Sequence, residues 1–275
     1  MSDRLKMKRD RLNDLPNEIL LHILSFLMIE DIVKTSILSK RWKNLWKYLP
    51  DLKLHTSEFS NPYLFSECVS GVVSSRSMGN HPLRTLDFDR HGCFQHTIFT
   101  KLVKHAMSNG LQKLNIVVPS NIGLPCSIFS CHSLTSIYIS VSMYDVKKRT
   151  RLPKRLDLPA LKSMHLDFVG IQAGDNGHAE PFSTCTELTD LYIDECVLVY
   201  PSSVPRESEG ILDITNATLS NLTIKHALTH AKLRPEPTFK YVISTPKLTS
   251  FIVNGSPFRE SSLPERVKVE LCLSQ

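Results

Sequence analysis

Apolar positions fall into two regimes along this chain. From Pro16 onward, Ile19, Leu20, Leu21, Ile23, Leu24, Phe26 and Leu27 come so densely that a helix built from them is apolar nearly all the way round, with no single core-facing stripe. Pro16 suits a first helical position, where its missing N–H has no intrahelical partner, and Glu18 favours the positive end of the same helix. The pattern predicts a second helix from Glu30 to Leu38 and a third from Lys40 to Lys47, with Ser39 as its N-cap. Three short helices in about forty residues cannot cover that much apolar surface by folding on themselves. Each large side chain left in water forgoes roughly 1.5–3 kcal/mol, so the row must face either a partner or the chain's own following body.

After a helix expected around Tyr63 to Val73, a six-residue phrase recurs, apolar at its first, fourth and sixth positions. It starts at Leu83, Leu111, Leu134, Leu161, Leu188, Leu219 and Leu248, with intervals of 28, 23, 27, 27, 31 and 29 residues. That spacing is close to the roughly 20–29-residue period of leucine-rich repeats. A short strand at each phrase would turn its fourth and sixth residues inward, and each repeat would bury its apolar edge by stacking on its neighbours. The third and fifth residues then point outward, toward the face such stacks use for binding. Among them Lys113, Tyr138, His165 and Tyr192 are the candidate contacts for a protein target, since aromatic side chains are enriched at interface hot spots. An ordinary exposed strand face is the competing reading of that row. Between the first two phrases Ile98, Leu102, Val103 and Ala106 keep a helical period, which Gly110 is placed to end. A last strand is expected from Arg266 to Leu273.

Size and chemistry narrow this further. A chain of 275 residues has room for a small docking domain and a larger body. Seven scattered cysteines with no CxxC read as reduced thiols, and the charged Met1 to Asp10 has no signal-peptide core, so a nuclear or cytoplasmic protein is expected. The longest apolar stretch, Ile19 to Ile29, is too short to span a membrane. Asn216-Ala-Thr218 and Asn221-Leu-Thr223 match glycosylation acceptors but mean little without a secretory route. The net charge of +6 is mostly dispersed, which argues against a nucleic-acid-binding protein. Lys147, Lys148, Arg149, Arg151, Lys154 and Arg155 form the one dense basic run, read as a solvated loop or else as an import signal or an anion-binding loop. There is no GxSxG, no phosphate-binding GxxxxGKS/T and no HExxH; Cys126, Cys131 and His132 lack a second ligand pair, so neither metal nor cofactor is expected.

Asp14-Leu15-Pro16-Asn17-Glu18-Ile19-Leu20, Ile23-Leu24-Ser25-Phe26-Leu27 and Thr35-Ser36-Ile37-Leu38-Ser39-Lys40-Arg41-Trp42-Lys43-Asn44-Leu45-Trp46 resemble a plant F-box. Leu158-Pro159-Ala160-Leu161 and Thr245-Pro246-Lys247-Leu248 look like the flanking words of plant F-box proteins with leucine-rich repeats, so the resemblance covers nearly the whole chain. It implies an α+β fold: a three-helix F-box at 10–50, a linker with a helix at 51–82, and an irregular leucine-rich-repeat solenoid of about seven repeats at 83–275. It also implies a non-catalytic substrate receptor of a Skp–cullin–F-box ubiquitin ligase. In that role Leu15, Pro16, Ile19, Leu20, Ile23, Leu24, Leu38 and Trp42 would form or support the face for the Skp-type adaptor, and through it the cullin. Relatives often carry Thr or Ser at the position of Ile29, where a hydroxyl would cap the second helix, so weaker local order is expected there. Relatives also often continue into a further C-terminal domain, and a short or truncated member is expected here. The alternative function is a repeat module that binds a protein while its F-box recruits no ligase.

Overall fold

The structure is a computed structural model that describes residues 12, 14–76, 81–90, 92, 95–120, 122–142, 150–201, 210–225, 239–254 and 268–272. The amino-terminal part is helical: α1 (Asn17–Leu24), α2 (Ile29–Lys34) continued by a 3-10 turn at Thr35–Ile37, and α3 (Trp42–Leu45) continued by a turn at Trp46–Tyr48. These helices are shorter than their apolar pattern suggests. Pro16 stands at the N-cap of α1 and not inside its first turn, and Arg41 takes the cap position of α3 that was expected of Ser39. Met28, and not Ile29, stands at the N-cap of α2; Ile29 is the first helical residue and, only 2% exposed, packs into the core. Burial of that side chain, worth roughly 1.5–3 kcal/mol, offsets the missing cap.

The body is built on a nine-stranded sheet whose neighbouring strands all pair in parallel and whose order follows the chain. Its strands are β1 (Asp51–His55), β2 (Thr85–Asp89), β3 (Lys113–Pro119), β4 (Ser136–Ser142), β6 (Ser163–Asp167), β9 (Asp190–Asp194), β12 (Asn221–Lys225), β14 (Ser250–Asn254) and β15 (Lys268–Cys272). The first and last strands do not meet, so the sheet stays open. Two small parallel sheets sit beside it: β5 (Arg151–Leu152), β7 (Gly170–Gln172) and β10 (Val197–Val199), then β8 (His178–Ala179), β11 (Gly210–Thr215) and β13 (Phe239–Ser244). Gly170 allows the first of these to close up, since a Cβ there would lie 2.9 Å from Val199 Cγ2.

Register explains why the phrases recur. The fourth residues pair in one line, Leu86, Leu114, Ile137, Met164, Leu191, Leu222 and Phe251, and the sixth residues pair in a second. Both lines are buried. The second residue of a phrase offers its carbonyl to two N–H groups of the next phrase: Gln112 O accepts from Thr135 and Ser136, and Thr135 O from Lys162 and Ser163. Hydroxyls at the second position reinforce this, as where Thr135 and Thr189 donate back to Gln112 O and Lys162 O. The same pairing reaches back to Pro50 O, which accepts from Arg84 and Thr85. Strand β1 is thus an element the sequence reading missed. Leu49, Leu52 and Leu54 keep the one–four–six pattern and are buried, so the signal was there.

Two helices pack on the early strands. The expected helix near Tyr63 is α4 (Pro62–Arg76), and α5 (His96–Ser108) buries Phe99, Leu102, Val103 and Ala106. Gly110 follows α5 at φ +83°, a left-handed conformation that glycine adopts without strain. Phe88 joins the layers, its ring 5.8 Å from Phe65 of α4 and 5.1 Å from Phe99 of α5.

Candidate functional sites

Two surfaces stand out, one on the helices and one on the sheet. Among the described residues eleven large hydrophobic side chains are exposed; seven lie between Ile19 and Leu38, and none lies beyond Leu64. Ile37 is 88% exposed, Phe26 76%, Leu38 58% and Met28 57%. The structure sorts the eight residues proposed for the helical face. Leu20, Leu24 and Trp42 are at most 3% exposed and belong to the chain's own core, so they support the helices and offer no surface themselves. Leu15 and Ile23 are half-buried against that core, while Pro16, Ile19 and Leu38 are open to solvent. Phe26, Leu27, Met28, Val33 and Ile37 join the exposed set, although only Phe26 and Leu27 belonged to the dense apolar row.

Arg41 is a residue whose role the sequence reading did not find. Its guanidinium donates to Leu15 O at 2.6 Å and to Asn17 Oδ1 at 2.9 and 2.6 Å, tying the start of α1 to the cap of α3. No local pattern signals a contact across 24 residues. Arg76, fully buried at the end of α4, makes a second tie by donating to Leu49 O and Pro82 O. Burial lowers its pKa to about 10, which still leaves it charged at neutral pH.

On the sheet the register sets Tyr138, His165 and Tyr192 side by side on β4, β6 and β9. The rings form a row: Tyr138 and His165 centroids are 4.5 Å apart, and His165 and Tyr192 stack at 3.9 Å with 17° between planes. Asp167 accepts from the Tyr138 hydroxyl at 3.1 Å and lies 2.8 Å from His165 Nε2. Tyr192 donates to Asp194 at 3.3 Å, and Lys225 Nζ stands 5.3 Å from its ring centroid. Burial, and then the Asp167 charge, raise the Tyr138 pKa; burial also raises that of Tyr192, so both remain neutral phenols at neutral pH. Lys113 is exposed on β3, two residues before Asn115, which pairs with Tyr138, so it does not join the stack. A cavity of about 280 Å³ adjoins the row, lined by His55, Asp87, Asp89, Asn115, Val117 and Tyr138.

Other candidates resolve simply. Asn216 is 4% exposed and spends its amide on Phe182 O, Cys185 O and the Thr218 and Leu219 N–H groups, so its triplet serves the fold. Arg151 lies in β5 and Lys154 and Arg155 are exposed, whereas Lys147, Lys148 and Arg149 lie outside the described residues. Among the described residues there is no group of three His, Cys, Asp or Glu side chains arranged to hold a metal, and no helix is long and apolar enough to cross a membrane.

With the geometry in place, comparison with known proteins is direct. Residues 12–54 match the F-box domain, so the helical segment is an F-box. Similar proteins from Arabidopsis thaliana include a putative F-box/LRR-repeat protein, 27% identical over 97% of this chain and 41% of its own length. A putative F-box/FBD/LRR-repeat protein is 30% identical over 90% of this chain and 53% of its own, and F-box/LRR-repeat protein 13 is 26% identical over 89% and 54%. The chain therefore carries an F-box and is similar along most of its length to plant F-box/LRR-repeat proteins. It spans about half the length of the curated relatives it matches.

Proposed function

We propose that this chain is a substrate-recognition subunit of an SCF-type ubiquitin ligase. In this reading the F-box, spanning 10–50, buries Ile19, Phe26, Leu27, Met28, Ile37 and Leu38 on a Skp-type adaptor that leads on to the cullin. The 51–82 segment joins it to an irregular leucine-rich-repeat solenoid of about seven repeats at 83–275, which holds a protein target. The in-register pairing of the seven phrases supports the solenoid. The chain contributes positioning and no bond-making step. Buried thiols at Cys131 and Cys185 fit a nuclear or cytoplasmic setting.

The observation that carries the reading is the crowding of exposed apolar side chains on the F-box, because soluble surfaces rarely leave so many together without a partner. The test is to co-express the full chain with a Skp-type adaptor and cullin and to purify on the chain. One complex containing all three is expected. A folded chain that captures no adaptor overturns the ligase reading and leaves a repeat module that acts without a ligase.

A further inference from the structure

The outward positions of the main sheet have a charge of their own. From β1 to β12 they carry six aspartates (Asp51, Asp87, Asp89, Asp167, Asp190 and Asp194) against three lysines (Lys53, Lys113 and Lys225), an excess of three negative charges on a chain of net charge +6. Asp87 and Asp89 bring that excess to the cavity. His55 stands between two acids there, its Nε2 3.1 Å from Asp87 Oδ1 and its Nδ1 3.9 Å from Glu58 Oε1. The neighbouring Arg90 is buried, its guanidinium 5.2 Å from the Phe65 ring. At about 280 Å³ the cavity falls below the roughly 300–1,000 Å³ of sites for drug-sized ligands, and suits one long side chain. Tyr138 forms one wall and begins the aromatic row, in which Asp167 holds the Tyr138 hydroxyl and the His165 imidazole and Asp194 holds the Tyr192 hydroxyl. Rings fixed in this way lose little freedom on binding, which favours them as anchors.

We infer that the partner held by this sheet is a protein segment that places an arginine or lysine side chain in the Asp87–Asp89 cavity and lays its neighbouring residues along Tyr138, His165 and Tyr192. This rests on the substrate-receptor reading and names the class of target it would take. Charge complementarity speeds the encounter and selects against acidic partners. The test is fluorescence anisotropy on the full chain with two labelled dodecapeptides, one alternating glycine with arginine and one alternating glycine with glutamate. Salt-sensitive binding of the arginine peptide alone is expected. It should weaken at least tenfold in the Asp87→Asn, Asp89→Asn double variant and severalfold in Tyr138→Ala, an uncharged change that serves if the double variant fails to fold. Equal binding of the two peptides, or variants that bind like wild type, overturns the inference. Adaptor capture is measured on the same preparations: a wild-type chain that captures the adaptor but does not bind the arginine peptide sinks the target class alone, and one that binds the peptide but captures no adaptor sinks the ligase reading alone.

Discussion

Ile37 and Leu54 stand a short way apart in the chain, yet the first is 88% exposed and the second fully buried. The contrast runs through the whole molecule. On the strands, every large apolar residue at a fourth or sixth phrase position from β1 to β14 is at most 6% exposed, while the outward positions are mainly polar or aromatic. On the F-box helices apolar side chains occupy two faces: one packs into the core and the other is left bare. A strand's period of two leaves one face for packing and one for contact. A helix apolar all round lacks that division, so it buries one face and leaves the surplus open.

Substitutions sharpen the contrast. Phe88→Ala removes a ring that joins the sheet to α4 and α5, and should cost about 3–5 kcal/mol in denaturant unfolding. Ile37→Ala should stay within about 0.5 kcal/mol, as for an exposed side chain. Leu20→Ala and Ile19→Ala repeat the comparison on adjacent residues: about 2–5 kcal/mol for the buried leucine, and little for its neighbour. A large loss from Ile19→Ala would break the comparison, by showing that the exposed face is already packed.

Arg76 tests the seam between the two regions. Arg76→Met should cost about 1–3 kcal/mol by leaving the Leu49 and Pro82 carbonyls without their donor, read as a fall in the chemical-denaturation midpoint. The smallest expected effect is one of pH. Burial first, and then the Arg76 charge, hold His81 and His105 below the usual histidine value of 6.5. Their folded-state pKa values are depressed, so the folded chain prefers them neutral. Their stabilisation is present above pH 6.5 and is lost as pH falls through the lower folded values. The Tm should therefore fall on acidification, and His105→Gln should flatten that limb. An unchanged slope would place the acid sensitivity elsewhere.

How much of this could be read from the residues depended on the range of the interaction. The phrase fixes both faces of a strand, so the Tyr138–His165–Tyr192 row was legible before the structure. Strand β1 was missed although Leu49, Leu52 and Leu54 fit the phrase, because its interval to Leu83 is longer than the others. In α1 the near-continuous apolar row hid which face was the core, and only tertiary packing shows that Leu20 and Leu24, one turn apart, supply it. Met28, Val33 and Ile37 lie outside that row and were therefore overlooked as surface. The ties from Arg41 to Asn17, from Arg76 to Leu49 and from Tyr138 to Asp167 join residues 24, 27 and 29 positions apart, beyond any local pattern.

The central claim is that the exposed apolar face of the F-box is a docking surface while its buried face is not. It is tested most directly by calorimetric titration of a purified Skp-type adaptor into the full chain, as wild type and as the Ile37→Asp, Leu38→Asp double variant. Wild type should bind one adaptor per chain, and the double variant should lose binding at least a hundredfold with its far-UV spectrum and Tm unchanged. A folded double variant that binds as tightly as wild type, or a folded wild type that does not bind, would contradict the account.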